Sequence, residues 1–267
     1  MRIEICVLCS ASDQTFNESP PLNSELKEII HRLSGYLAVF IVFWAIGGVF
    51  LFLLGYKESF FELNQFHISF LDIIMPHYTH LGHGALVSLL FILLVPRLDL
   101  EIAFALIISL ILVAVFVNLG KFYWFEDWDR PLAIFKKRTI HFISLTPNYY
   151  HAFPSGHSAV AATAFFFIAA YSGKAKPLYG IFWALVAVSA CYSRLYIGVH
   201  FLGDIVAGSF MGVGLSLGGY YFVRRTWGKR LKNLPDSSEN NIRKWLKIIT
   251  LILLAFDLYV LLNQNYL

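Results

Sequence analysis

Long apolar stretches interrupted by very few charges constrain this chain more than any other feature. Six runs read as membrane spans: Leu33–Leu54, Leu81–Val95, Ile102–Leu119, Ser158–Tyr171, Leu178–Tyr192 and Ile205–Val223. Crossing a bilayer as a helix takes roughly 20 apolar residues. Several of the runs fall short of that because polar residues occupy one end. Trp245–Leu262 is a candidate seventh span, interrupted by Asp257, and its bland alternative is a helix lying in the interface. Apolar residues make up 58% of the chain and charged residues only 14%, against about 25% charged in soluble domains. The expected fold is therefore all-α: a polytopic membrane helix bundle with six core spans and the candidate seventh. It divides into a flexible cytoplasmic tail (1–32), a transmembrane domain (33–223), and a basic segment with a terminal hydrophobic helix (224–267).

Lysine and arginine orient the bundle. With the amino terminus in the cytoplasm, fourteen of the 21 cations fall on inside segments. The other seven are Lys57, Lys121, Arg130, Lys136, Lys137, Arg138 and Arg194. Positive loops stay inside, so this asymmetry accounts for the net charge of +4 without any nucleic-acid partner. No cleavable signal of ordinary form is visible, and Leu33–Leu54 can serve as the signal anchor. Cys6 and Cys9 form an isolated C-x-x-C without a βαβ context, a weak signal for redox or metal chemistry. Cys191 lies in an apolar run and reads as a small core residue.

Ionisable residues at the ends of spans are costly there and mark functional sites. Three segments hold them: Lys121…Arg130-Pro131, Pro154-Ser155-Gly156-His157, and Ser193-Arg194…His200…Asp204. They combine three cations, two imidazoles and a carboxylate, the inventory of a phosphate-handling site. His200 and Asp204 are four apart, on one face of a helix. A carboxylate on one ring nitrogen fixes the tautomer and leaves the other nitrogen free to attack. Ser155 stands where an N-cap belongs, ahead of an apolar helix whose N-terminus favours anions. Gly156 lets backbone approach closely.

These segments resemble the signature of the type 2 phosphatidic acid phosphatase (PAP2) superfamily, which also includes bacterial acid phosphatases and vanadium haloperoxidases. The pattern is Lys-x6-Arg-Pro, Pro-Ser-Gly-His, then Ser-Arg-x5-His-x3-Asp. The second and third elements match residue for residue; in the first, eight residues, Phe122 to Asp129, separate Lys121 from Arg130. The resemblance covers about Leu81 to Val223. It implies that His200 is a nucleophile forming phosphohistidine and that Asp204 orients it. His157 is then the general acid and later base, while Lys121, Arg130, Arg194, Ser155 and Gly156 hold the phosphate. Three cations facing a phosphate dianion require no metal or other cofactor.

The expected activity is metal-independent removal of phosphate from a membrane lipid, at the extracytoplasmic face of what would be a bacterial inner membrane. Lipid A is one candidate substrate, since the family's lipid A phosphatases also have a stretched first motif. Phosphatidic acid, phosphatidylglycerol phosphate and undecaprenyl pyrophosphate are others, and phosphoryl transfer to a second lipid is the rival reaction. A transporter or scramblase would call for paired repeats or broken helices at mid-membrane, whereas these charges gather at one face. The two additional residues of the first motif can be absorbed as a bulge after Gly120. Alternatively, Lys121 only anchors its helix and Lys136 or Lys137 supplies the charge. Phe60–His80 reads as an interfacial helix over the site, with His67, His77, His80 and His83 as interfacial histidines rather than metal ligands. Phe122, Tyr123, Trp124, Phe125 and Trp128 read as an aromatic belt. Glu126, Asp127 and Asp129 either balance nearby cations or receive an amine or sugar hydroxyl of a head group.

Overall fold

The structure, a computed structural model, describes residues 22–94, 99–135, 139–144, 147–173 and 178–263. Cys6, Cys9, Lys136, Lys137 and Arg138 lie outside the described residues, as does most of the tail. Among the described residues every regular element is helical. In chain order they are α1 (Leu22–Arg32), α2 (Ser34–Leu54), α3 (Tyr56–Asn64), α4 (Ser69–Tyr78), α5 (Gly84–Leu94) and α6 (Leu100–Leu119). After them come α7 (Pro131–Ile134), α8 (Gly156–Ser172), α9 (Leu178–Tyr196), α10 (Leu202–Lys232) and α11 (Asp236–Asn263). A 3-10 turn, Thr79–Gly82, precedes α5, and α6 runs on into a π turn, Gly120–Trp124.

Four of these are long and apolar enough to cross a membrane: α2, α6 with its π turn, α9 and α10. Helix α8 is apolar but shorter. The expected span over Leu81–Val95 begins instead in the 3-10 turn, and α5 supplies only 11 residues. Helix α2 displays Ile41, Val42, Ile46 and Phe52 to its surroundings, an apolar surface suited to lipid. The chain is an integral membrane protein.

Small residues let the central helices touch. Ala161, Ala162, Ala169 and Ala170 of α8 are fully buried. A Cβ on Gly212 of α10 would lie 2.4 Å from the Ala159 carbonyl oxygen, so the α8 and α10 backbones are in direct contact. Thr163 donates across the same interface to the Gly212 carbonyl at 3.2 Å.

The bundle has two chemically different ends. Helix α6 starts where α10 finishes: Lys232 lies 3.6 Å from Glu101, and Arg224 bonds Glu28 of α1. Arg32 donates to the Tyr220 hydroxyl at 2.9 Å at that same end. The opposite end receives the close of α6, the start of α8, the close of α9 and the start of α10, and therefore every motif residue.

The reading of Phe60–His80 as one interfacial helix is corrected. Two helices, α3 and α4, occupy it, broken at 65–68. Phe60 is fully buried against Phe135 and Phe201, with ring centroids 5.9 and 5.2 Å away. The cause is Asn64, whose amide donates to the His141, Leu195 and Tyr196 carbonyls at 3.1, 3.1 and 3.2 Å. Those bonds pin α3 onto the end of α9, leaving Phe66, Phe70 and Ile73 as the exposed apolar face.

Candidate active site

The short turn between α9 and α10 delivers the candidate nucleophile. His200 Nδ1 donates to Asp204 Oδ2 at 3.0 Å, with the two side chains 1% and 0% exposed. Asp204 stands in the first turn of α10 and also accepts the Phe201 backbone N–H at 2.9 Å, capping its own helix. One carboxylate thus fixes the helix start and the imidazole together, leaving His200 Nε2 with its lone pair. Burial, then the charges of Arg130 and Arg194, hold the His200 pKa well below the usual histidine range, so the ring is neutral.

Ser155 caps α8 as the sequence suggests. Its Oγ accepts from the Ser158 N–H at 3.4 Å and the Ser158 hydroxyl at 3.0 Å, and its own N–H donates to the Asp204 carbonyl at 3.1 Å. That last bond joins the α8 start to the α10 start, so Gly156 and His157 open beside His200. The Lys121 ammonium reaches this N-terminus, 3.9 Å from where a Cβ on Gly156 would sit.

The two arginines come from opposite sides. Arg130 is buried, its Nε donating to the Tyr150 carbonyl at 2.9 Å and its Nη1 to the Val199 carbonyl at 3.4 Å. Arg194, in the last turn of α9, donates from Nη1 to the Thr79 hydroxyl at 2.8 Å. Its Nε is buried without a hydrogen-bond partner in the structure. A buried guanidinium N–H without an acceptor is costly unless an anion completes it. Lys121, Arg130, Arg194 and Asp204 are close enough to act on one another electrostatically. The structure thus gathers Lys121, Arg130, Ser155, Gly156, His157, Arg194, His200 and Asp204 at one end of the bundle.

Three neighbours carry no sequence signal. Tyr56, opening α3, donates its hydroxyl to Asp204 Oδ1. Its ring packs on Phe201 and Trp128, with centroids 4.7 and 5.2 Å away. A Cβ on Gly203 would come within 2.5 Å of that ring, so glycine is required for Tyr56 to reach the carboxylate. Thr79 orients Arg194, as above. His151, in the left-handed region at φ 54°, donates Nδ1 to the Lys121 carbonyl at 3.1 Å. Only a search for polar residues on the flanking elements would have flagged these, without ranking them.

The histidines of 67–83 separate into two groups. His83 lies against His157, ring centroids 5.7 Å apart, with His80 behind it at 6.4 Å. His67 stacks on His141 instead. The aromatic belt divides too: Phe122, Tyr123 and Trp124 are exposed, while Phe125 and Trp128, the latter also exposed, pack on Phe153 at 4.6 and 4.8 Å. Glu126 and Asp127 are exposed at its rim.

Comparison with known proteins places the motif-bearing segment among known phosphatases. Residues 100–228 match the model of the PAP2 superfamily. The chain is 35% identical over 78 residues to glucose-6-phosphatase catalytic subunit 1 of Mus musculus, covering 24% of this chain but only 22% of that protein. It is 26% identical over 141 residues to phosphatidylglycerophosphatase B of Bacillus subtilis (strain 168), covering 44% of this chain and 67% of that one. Among solved structures, Aquifex aeolicus LpxE superposes with a TM-score of 0.55 at 26% identity, over 61% of this chain and 93% of that chain. The matched segment contains all three motifs, so the chain carries a PAP2 superfamily domain over residues 100–228.

Proposed function

We propose that this protein is a phosphatase that removes phosphate from a membrane lipid through a phosphohistidine intermediate, with its active site on the extracytoplasmic face of a bacterial inner membrane. The observation that carries the reading is the buried Arg194 Nε without an acceptor, among two further cations, a helix N-terminus and a carboxylate-oriented imidazole.

His200 Nε2 attacks phosphorus as the phosphorus–oxygen bond to the lipid breaks, and His157 gives a proton to the departing lipid oxygen. His157 then takes a proton from water as that water displaces His200 and releases inorganic phosphate. Lys121, Arg130 and Arg194 balance the charge on the transferring phosphoryl group, with the Gly156 N–H and Ser155 at the helix start. The cradle supplies enough positive charge for this to proceed without a metal ion.

Two apolar grooves reach the site and suit a lipid. One, between α2 and α10, is bounded by Trp44, Leu51, Tyr56, Trp128, Val206 and Phe210. The other is bounded by Val113, Val117, His157 and Val160, giving the leaving lipid an apolar route beside the general acid. The relationship to phosphatidylglycerophosphatase B supports a lipid phosphate monoester as substrate. The stretched first motif favours lipid A, with phosphatidylglycerol phosphate and undecaprenyl pyrophosphate as the alternatives. In this reading α5 and α8 join the four long helices to make six core spans, and the end holding Arg32, Arg224 and Lys232 faces the cytoplasm, following the positive-inside bias.

The test is phosphate release by purified protein across lipid A, phosphatidylglycerol phosphate, phosphatidate and undecaprenyl pyrophosphate. Turnover of at least one lipid, abolished in His200→Ala, is the expected result. No release from any of them would refute the reading and favour a non-enzymatic lipid carrier.

A further inference from the structure

A second cluster of coordinating side chains stands apart from the phosphate cradle and takes no part in the chemistry above. His67 comes from the loop after α3, Asp72 from the first turn of α4, and His141 from the segment 139–144. One ligand atom from each lies within 4.8 Å of the other two. His141 Nε2 lies 2.9 Å from Asp72 Oδ1. The His67 and His141 rings stack at 3.9 Å and 3°.

Two of the three residues, Asp72 and His141, are backed by hydrogen-bonding partners. Tyr196 donates to Asp72 Oδ1 at 2.6 Å, and its hydroxyl also contacts Ile68 N and O, each at 3.1 Å. Asn64 accepts the His141 N–H at 2.7 Å and donates to the His141 carbonyl at 3.1 Å, fixing that residue's backbone from both sides. Oriented ligands backed by hydrogen-bonding partners are what a bound transition metal requires. Asp72 and His141 are held in place, whereas His67 is exposed on a loop and can turn out of the stack to aim a nitrogen at an ion.

We propose that His67, Asp72 and His141 form a binding site for a divalent transition metal of the zinc class. Two imidazoles and one carboxylate suit zinc and leave a fourth position for water. The ion would clip α3 and α4 to the segment 139–144. Through Tyr196 it would also stiffen the turn that carries Arg194 and His200, without touching the reacting phosphate.

The experiment uses full-length protein in detergent, carrying no polyhistidine tag and stripped with chelator. Zinc affinity is read by competition with a chromophoric chelator, cobalt(II) absorption reports the ligand set, and thermal unfolding is followed with and without zinc. One ion per chain with a dissociation constant below about 10 µM is expected, together with a zinc-dependent rise in Tm. His67→Ala, chosen because the side chain is exposed and loses only its stacking on His141, should weaken binding at least about tenfold and abolish the Tm rise. His77→Ala, outside the cluster, should change neither. Equal affinity in wild type and His67→Ala would place the ion elsewhere, for instance on His83 and His157, and overturn the proposal. Binding weaker than about 100 µM in wild type would overturn it as well.

Discussion

Replacing Tyr56 with phenylalanine removes one oxygen atom and tests how the nucleophile is held. Asp204 accepts three donors: His200 Nδ1 at 3.0 Å, the Phe201 N–H at 2.9 Å, and the Tyr56 hydroxyl. In Tyr56→Phe, Oδ1 has lost its donor at a site with no access to water. The carboxylate must rotate away from His200, take up a proton, or stay charged and unpaired, and each outcome weakens its hold on the imidazolium formed as His200 attacks. A hydrogen bond to a charged group is worth about 1.5–3 kcal/mol, which converts to a rate loss of roughly 10- to 150-fold. Because Tyr56 touches Asp204 rather than the phosphate, kcat should fall by that factor while KM stays within about threefold. Gly203→Ala is the independent probe, since its methyl would strike the Tyr56 ring and push the hydroxyl off Oδ1 without removing it. Steady-state kinetics on the best lipid of the panel, with monodispersity in detergent as the folding control, decides the matter. A folded Tyr56→Phe protein with kcat within twofold of wild type would refute the reasoning.

Quenched reactions with radioactive lipid phosphate should leave acid-labile label on wild type, none on His200→Ala, and prolonged label on His157→Ala, whose hydrolysis step lacks its base; label on His200→Ala would remove it as nucleophile. EDTA should leave the initial rate nearly intact and vanadate should inhibit, whereas loss of activity in EDTA restored by a divalent ion would refute metal-independent chemistry. In a background lacking Cys6, Cys9 and Cys191, Ser144→Cys should react with an impermeant thiol reagent in intact cells, and Ser172→Cys and Ser237→Cys only after the membrane is opened; the opposite pattern would turn the active site to the cytoplasm. Lys121→Ala should lower kcat/KM at least about tenfold, the equivalent of roughly 1.4 kcal/mol. Arg194→Ala should cost more, because a guanidinium can engage two phosphate oxygens; a Lys121→Ala protein near wild type would return the phosphate charge to Lys136 or Lys137.

The cradle was legible in the sequence because its chemistry is written at short, fixed intervals. His200 and Asp204 share one turn, and Ser155, Gly156 and His157 are consecutive at a helix start, where capping dictates the residue types. Tyr56 and Thr79 were not legible because they meet Asp204 and Arg194 across 148 and 115 positions of chain. Nothing local distinguishes Tyr56 from any other aromatic residue at a membrane surface. The same limit explains α3 and α4. Their apolar residues read alike in sequence, yet Phe60 is core and Phe70 is exposed, because Asn64 pins one helix to the end of α9 and nothing equivalent covers the other. Helices α2, α6, α9 and α10 were legible from apolar length alone. The His67–Asp72–His141 group escaped notice because the histidine that completes it lies 69 positions beyond Asp72, not among the neighbouring histidines.

The stretched first motif is where sequence and geometry bear most directly on each other. Eight residues rather than six separate Lys121 from Arg130, and in a regular helix two additional residues would rotate everything beyond them by more than half a turn. Helix α6 does not continue regularly. It widens into the π turn Gly120–Trp124, which takes up an additional residue while keeping Lys121 at the end of the helix. The chain then folds back on itself, with the Trp128 N–H bonding the Phe125 carbonyl at 3.1 Å and the Arg130 N–H bonding the Tyr149 carbonyl at 2.8 Å. His151 secures the Lys121 carbonyl from outside the turn. The surplus length is spent on this loop, leaving the Lys121 ammonium beside Gly156 and the Arg130 guanidinium beside the His200 turn. The spacing that departs from the family pattern is therefore compatible with an intact three-cation cradle. What it alters is the rim, where Phe122, Tyr123 and Trp124 project outward beside Glu126 and Asp127. On the proposed function, a longer loop at that place would change what approaches the site and leave the three-cation cluster unaltered, so exchanging residues 122–129 should shift the preference among the lipids of the panel more than the rate on the best of them.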